Sequence, residues 1–239
     1  MKIGILGAMD QEVALLKDTL ENVSEQQVAH LTFYTGTLHG MDVVLVKCGI
    51  GKVAAAVATT LLITEFKPDY VVNTGSAGGF DTSLEIGDIV IGNGVQHHDV
   101  DITHFGYELG QCVGMPTVFE CDEQLITAAE EAAATALHVK TIRGLICTGD
   151  SFIGTDEAAA SLRESFAAIS ASEMEGAAIA QASFMLGTPF LVIRSLSDIA
   201  GKTSTVSFNA YLETAAKNSA ELVMGMIQAL SQRTSGTAS

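Results

Sequence analysis

Short apolar runs rich in β-branched residues alternate along this chain with longer stretches of helical periodicity, and few folds accept that pattern. Lys2–Leu6 reads as a strand and Gln11–Leu20 as a helix, with Val13, Leu15, Leu16 and Leu20 on one side. Leu31–Leu38 and Met41–Lys47 read as a hairpin turning at His39-Gly40. An Ala-rich helix over Val53–Glu65 is closed by Lys67-Pro68, and strands follow at Tyr70–Asn73 and Asp88–Ile91. A polar loop is expected from Gly92 to Thr117, then helix Asp122–Leu137, strand Thr141–Cys147, helix Asp156–Glu164 and strand Ala168–Ala171. A further helix ends near Gly187, strand Phe190–Ile193 follows Pro189, and a last helix spans Asn209–Leu230. Apolar strands linked by helices need cover on both faces. The pattern therefore specifies a single α/β domain over residues 1–230 with a mostly parallel, buried sheet, and a flexible tail over 231–239.

Composition narrows the partners. Hydrophobic residues make up 48% and charged residues 17% of the 239, as a packed core requires. The 28 acids outnumber the 12 Lys and Arg, and a net charge of −16 repels polyanions, which excludes nucleic acid as a partner. The only arginines are Arg143, Arg163, Arg194 and Arg233, a poor supply for holding polyphosphate. Cys48, Cys112, Cys121 and Cys147 lie far apart with no C-x-x-C pair, which supports neither zinc nor a disulfide scaffold and suits a reducing cytoplasm. The opening MKIGILGAMDQE reads as a first strand rather than a signal peptide, and no apolar run is long enough to span a membrane.

In open α/β sheets, ligands bind beyond the carboxyl ends of the strands. Here those ends run into GAMDQE, NTGSAGG, TGDSF, SEME and RSLSD. In SEMEGAAIA, Ser172 and Glu175 fit a capping box at a helix start, yet the same acids lie where a crevice would be. Thr74–Gly79 is either a plain turn or one whose N–H groups approach a ligand, and it lacks the G-x-G-x-x-G fingerprint. Gly51-Lys52 fails as a P-loop, because Val46 and Val53 stand where Gly and Ser or Thr are needed. On an extended chain Arg194, Leu196 and Asp198 share a side, although Asp198 equally suits a cap. His97, His98, Asp99, Asp101 and His104 offer metal-ligand chemistry, but a solvated loop or subunit contact is the expectation, with no metal. No G-x-S-x-G elbow occurs. Caps alone explain poorly why Glu12, Glu175, Arg194 and Asp198 all stand at separate strand ends.

In their order and spacing, GAMDQE, NTGSAGG, GDSFI, SEMEGAAIA and RSLSD resemble the purine nucleoside phosphorylase/nucleosidase superfamily, and within it the 5'-methylthioadenosine/S-adenosylhomocysteine nucleosidases. The likeness runs from Met1 to Leu230. It implies a three-layer α/β/α fold around a mixed sheet, a homodimer, a nucleoside substrate and no cofactor. It also implies roles. Glu12 would be the base that activates water, and Asp198, with Ser197 beside it, the acid that protonates adenine at N7. Met174 and Glu175 would contact the ribose hydroxyls, Arg194 would order Glu175 and the water, and Ser76 would neighbour both the water and Glu12. Phe152 and Ile153 would form the adenine platform, and Met9, Ile50 and Phe208 the wall around the sugar and thioalkyl group. Ile102, Phe105 and Val113 would be lent to the partner subunit's pocket.

The chemistry asks for such residues. Cleaving an N-glycosidic bond leaves a sugar with oxocarbenium character and a purine that departs more easily once protonated, so one acid serves the leaving group and another the water. A phosphorylase would need cationic or N–H donors for phosphate, whereas the first loop supplies Asp10 and Glu12, which repel it. Glu173 is expected to act structurally. Gly176, Ser151 and Val113 depart from the family's common Ala, Ala and Pro.

Overall fold

The computed structural model describes residues 1–136, 139–200 and 204–236. Its strands in chain order are β1 (Lys2–Gly7), β2 (Glu21–Val28), β3 (Leu31–Leu38), β4 (Met41–Lys47), β5 (Tyr70–Gly79), β6 (Ile89–His97), β7 (Phe119–Glu120), β8 (Thr141–Thr148), β9 (Ile169–Glu173) and β10 (Phe190–Ile199). The helices are α1 (Asp10–Thr19), α2 (Lys52–Leu61), α3 (Glu123–Ala136), α4 (Asp156–Ser165), α5 (Gly176–Leu186) and α6 (Ser204–Gly236).

β5 organises the sheet. It pairs in parallel with β1 and β10, and its last residues, Gly78 and Gly79, pair antiparallel with Ser172 and Ala171 of β9. Because β10 also pairs with β6, and β6 runs through β8 to β9, these strands close into a ring. β1, β4, β3 and β2 extend from it as an open sheet. The sheet is thus mixed, parallel through β4–β1–β5–β10 and β6–β8–β9, and antiparallel at the β2–β3–β4 edge and the ring closures. Helices α1, α3 and α6 pack together on one side, and α2 with α5 on the other, giving the α/β/α layering.

Burial follows from that layering. Ile3, Ile5, Leu45, Val71, Val72 and Leu191 are inaccessible. Each such side chain contributes about 1.5–3 kcal/mol. Both β5 and β10 are enclosed along nearly their whole length.

Several boundaries differ from those expected, each for a physical reason. The stretch Thr74–Gly79 is extended chain and not a turn, because β10 pairs with it through Gly79. Strand β10 likewise continues past Ile193 to Ile199. The expected loop from Gly92 begins only after His97, since Gln96 donates to Leu109 O at 2.9 Å and His97 Nε2 meets Gln181 Oε1 at 3.0 Å, so these polar side chains are buried with partners. β2, ENVSEQQV, has no apolar face and lies exposed on the sheet edge, so periodicity does not reveal it. The α-helical part of α2 stops at Leu61, and a wider π turn over Leu62–Phe66 carries the chain to Lys67. The last helix begins at Ser204 and continues through residues expected to be tail. Ser231 Oγ donates to His39 O at 2.8 Å, and Arg233 reaches Glu131 at 2.5 Å. Leu137 and residues 237–239 lie outside the described residues. Among the described residues no helix is long and apolar enough to cross a membrane.

Candidate active site

At the carboxyl ends of β1, β5, β9 and β10 lies a cavity of about 250 Å³. Glu12 enters it from the first turn of α1, and both its oxygens are occupied. Oε2 accepts the N–H groups of Ala8 at 2.7 Å and Met9 at 3.1 Å, and Oε1 accepts the N–H and hydroxyl of Ser76 at 2.9 and 3.0 Å. The Ser76 hydroxyl is the only rotatable donor of the four. Beneath them passes Gly75, where a Cβ would lie 2.7 Å from both Glu12 Oε1 and Arg194 Nη1. Gly75→Ala is therefore expected to cost about 1–3 kcal/mol by overpacking. It should also lower turnover by roughly tenfold or more through displaced groups. Urea unfolding and steady-state kinetics measure the two effects.

The two acids of SEME have different jobs. The expected Ser172–Glu175 capping box does not form: Ser172 lies in β9, and Glu175 is the cap position of α5 without a side-chain cap bond. Glu173 fills that role from within the fold. Its Oε2 accepts the N–H groups of Glu175 at 3.1 Å and Gly176 at 2.7 Å, while Thr148 Oγ1 donates to Oε1 and itself accepts the Ala177 N–H at 2.8 Å. A Cβ on Gly176 would lie 3.0 Å from Glu173 Oε1, so glycine gives this carboxylate room. Arg194, 1% exposed, donates through Nη2 to Glu173 Oε2 and to Asn73 Oδ1 at 2.6 Å, and stands 3.6 Å from Glu175 Oε2. Burial works against the Arg194 charge, but Glu173, Glu175 and Glu12 together raise its pKa. The guanidinium is thus held mainly by Glu173, with Glu175 as a longer-range partner.

Glu175 Oε1 accepts the Gly51 N–H at 2.8 Å. Burial first, then the charge of Glu173, push this carboxyl up to about 7, against the opposing pull of Arg194 and the Gly51 N–H. A carboxyl raised on folding stabilises the fold fully below the ordinary value of 4.5 and loses that contribution as pH climbs through about 7. Between about pH 5 and about pH 8 the wild type should therefore lose more folding stability than Glu175→Gln does. Urea unfolding of both proteins at the two pH values checks this, and equal losses would contradict it. Behind the pocket, burial and then the charges of Glu175 and Glu12 raise the Cys48 thiol and keep it protonated, so it is no nucleophile.

Asp198, 1% exposed, reaches the cavity through a bulge. Leu196 pairs with Ala77 and Asp198 with Gly78, leaving Ser197 as the extra residue. Ser197 and Asp198 both line the cavity, and the register shift breaks the expected one-sided alternation of Arg194, Leu196 and Asp198. Ser197 Oγ donates to Asp198 Oδ1 at 3.0 Å. Met9, Ile50, Met174, Phe152 and Phe208 also line the cavity, with the two phenylalanine rings edge-on at 5.9 Å. Ile153 lines a small adjoining recess beside Phe152. Arg194 lies beneath the cavity and does not line it. Ile102, Phe105 and Val113 are not among its lining residues; Phe105 is 77% and Val113 68% exposed on the loop after β6.

Asn73, Thr148 and the Gly51 N–H escaped the sequence reading. Each acts through a partner far away in the chain, 121 residues for Asn73 and Arg194, and no local pattern marks such a pairing. Of the histidine–acid cluster, His97 is buried against Gln181 and Asp99 pairs with Lys52 at 2.5 Å. Among the described residues no three His, Cys, Asp or Glu side chains converge as metal ligands.

The model of the phosphorylase superfamily matches residues 2–228, which fixes the class. The 5'-methylthioadenosine/S-adenosylhomocysteine nucleosidase of Psychromonas ingrahamii is 55% identical over 230 residues, covering 96% of this chain and 100% of its own length. The crystal structure of such a nucleosidase from Colwellia psychrerythraea, in complex with adenine, superposes with a TM-score of 0.94 at 54% identity, covering 96% of each chain. A Neisseria meningitidis nucleosidase bound to methylthio-immucillin-A gives 0.93 at 45% identity, covering 95% of this chain and 98% of that one. This chain belongs to the 5'-methylthioadenosine/S-adenosylhomocysteine nucleosidase family.

Proposed function

We propose that this protein hydrolyses the N-glycosidic bond of 5'-methylthioadenosine and S-adenosylhomocysteine, releasing adenine and the 5'-thio-ribose product. The observation that carries the reading is a small cavity bearing Glu12 and Asp198 as separate buried carboxyl groups, with no Lys or Arg among the described residues that line it. Those described residues offer phosphate no cation, whereas water needs none.

In this mechanism Phe152 offers its ring to the purine, and Asp198 delivers a proton to N7 as the bond to C1' lengthens. Charge that would build on the base is thereby removed. Glu175 holds the ribose hydroxyls and sits near the developing positive charge of the sugar. Glu12 takes a proton from water as it attacks C1'. The Ser76 hydroxyl can turn away from Glu12 and leave a lone pair for that water. Met9, Ile50 and Phe208 keep the thioalkyl side apolar.

The enzyme works as a homodimer in this reading, supported by exposed apolar side chains on α2 and α5 and on the loop after β6: Val53 at 76%, Met185 at 64% and Phe105 at 77%. Ile102, Phe105 and Val113 would then close the partner subunit's pocket. Free Cys48, Cys112, Cys121 and Cys147 support a reducing, cytoplasmic setting.

Adenine release from methylthioadenosine in phosphate-free buffer tests the reaction. Release without phosphate is expected; strict phosphate dependence, with a sugar phosphate as product, would assign phosphorolysis instead.

A further inference from the structure

The loop leaving β6 contributes nothing to the cavity wall, yet contacts link it to Glu175. Among the described residues the Glu175 carboxylate accepts one hydrogen bond, from the Gly51 N–H at 2.8 Å, while Arg194 stands off at 3.6 Å. Where Gly51 sits therefore decides where this carboxylate sits. Gly51 has φ +95°, which an L side chain resists, and a Cβ there would lie 3.0 Å from Asp150 Oδ1.

Its position is set from outside. The next residue, Lys52, donates its N–H to Asp150 Oδ1 at 2.8 Å and its Nζ to Asp99 Oδ1 at 2.5 Å. Asp150 donates its own N–H to Asp99 Oδ2 at 2.9 Å. One carboxylate thus clasps the start of α2 to the turn after β8. Asp99 is itself anchored: the N–H of the adjacent His98 donates to Thr148 O at 2.8 Å, and the His98 ring lies against Gly149 where a Cβ would overlap it. The Lys52 and Asp99 side chains are only 20% and 28% exposed, so solvent screens the pair less than an open surface pair.

We propose that Asp99 is a positioning residue for the reaction: by holding Lys52 and Asp150 together it aims the Gly51 N–H at Glu175 and sets the grip on the sugar hydroxyls. The inference rests on the reading of Glu175 as the ribose contact.

The test uses the full chain and two variants, Asp99→Asn and Lys52→Met, with methylthioadenosine and its analogue lacking the 2'- and 3'-hydroxyls. KM for methylthioadenosine should rise about tenfold in each variant, with kcat within about threefold, the scale of weakening one hydrogen bond to a charged group. KM for the deoxy analogue should move less than about twofold, and Asp99→Asn should add nothing in a Glu175→Gln background. Unchanged KM for methylthioadenosine, equal losses on both substrates, or full additivity with Glu175→Gln would overturn the proposal. Should Asp99→Asn fail to fold by circular dichroism, Lys52→Met gives the same readout by breaking the same link. If Glu175→Gln itself leaves the hydroxyl preference intact, the ribose assignment fails and the Asp99 proposal with it. If only the Asp99 and Lys52 variants leave that preference intact, the Asp99 proposal fails alone.

Discussion

Glu12→Gln should lower kcat for adenine release by about 10²-fold or more, the usual scale for a group that takes a proton in the rate-limiting step. The same change has a second, separable effect. Both Glu12 oxygens accept from Ala8, Met9 and Ser76, and none of these contacts can be reversed at the backbone N–H groups. A Gln amide must turn its NH₂ toward one of those donors, which leaves a buried N–H without an acceptor and costs about 1–3 kcal/mol. Urea unfolding gives the folded fraction, and kcat corrected for it isolates the chemical loss. A corrected kcat within a few-fold of wild type would remove Glu12 from the mechanism and leave it as the clamp between the α1 start and β5.

Asp198→Asn should cost a similar ~10²-fold in kcat on methylthioadenosine, because adenine departs poorly without a proton. The carboxyl is buried beside Ser197 Oγ at 3.0 Å, and Asn keeps nearly the same shape in that space. Loss of the proton therefore outweighs loss of packing. The specific signature is the leaving group. On a 4-nitrophenyl riboside, whose phenolate leaves unprotonated, the variant should retain kcat within roughly tenfold of wild type. Equal losses on both substrates would mean that Asp198 orients the sugar and does not serve the base.

Much of this arrangement was legible in the sequence, and the parts that were not share a cause. Helices and central strands followed from periodicity, since Val13 and Leu16 of α1, or Val71 and Val72 of β5, carry their burial in their own local pattern. The joint placement of Glu12, Glu175 and Asp198 at strand ends was legible too, and all three line one cavity. What periodicity could not show was pairing across the chain. Thr74–Gly79 looks like a turn until β10 is laid beside it, and the Ser197 bulge exists only in the register of two strands. Local rules also misassigned Glu175 as half of a capping box. Only the fold brings Glu173, Thr148 and Arg194 together, and Glu173 then accepts the N–H groups of Glu175 and Gly176 at the start of α5, while Thr148 accepts that of Ala177. The family resemblance, not the pattern, supplied the loop residues Ile102, Phe105 and Val113, and the single chain leaves them outside the pocket.

The two-carboxyl arrangement is tested most directly by a crystal structure with a non-hydrolysable methylthioadenosine mimic. The expected result is the Asp198 carboxyl within hydrogen-bond reach of the purine N7, and a water held between Glu12 and the face of C1' opposite the base. A purine seated with N7 away from Asp198, or Glu12 without a path to C1', would contradict it.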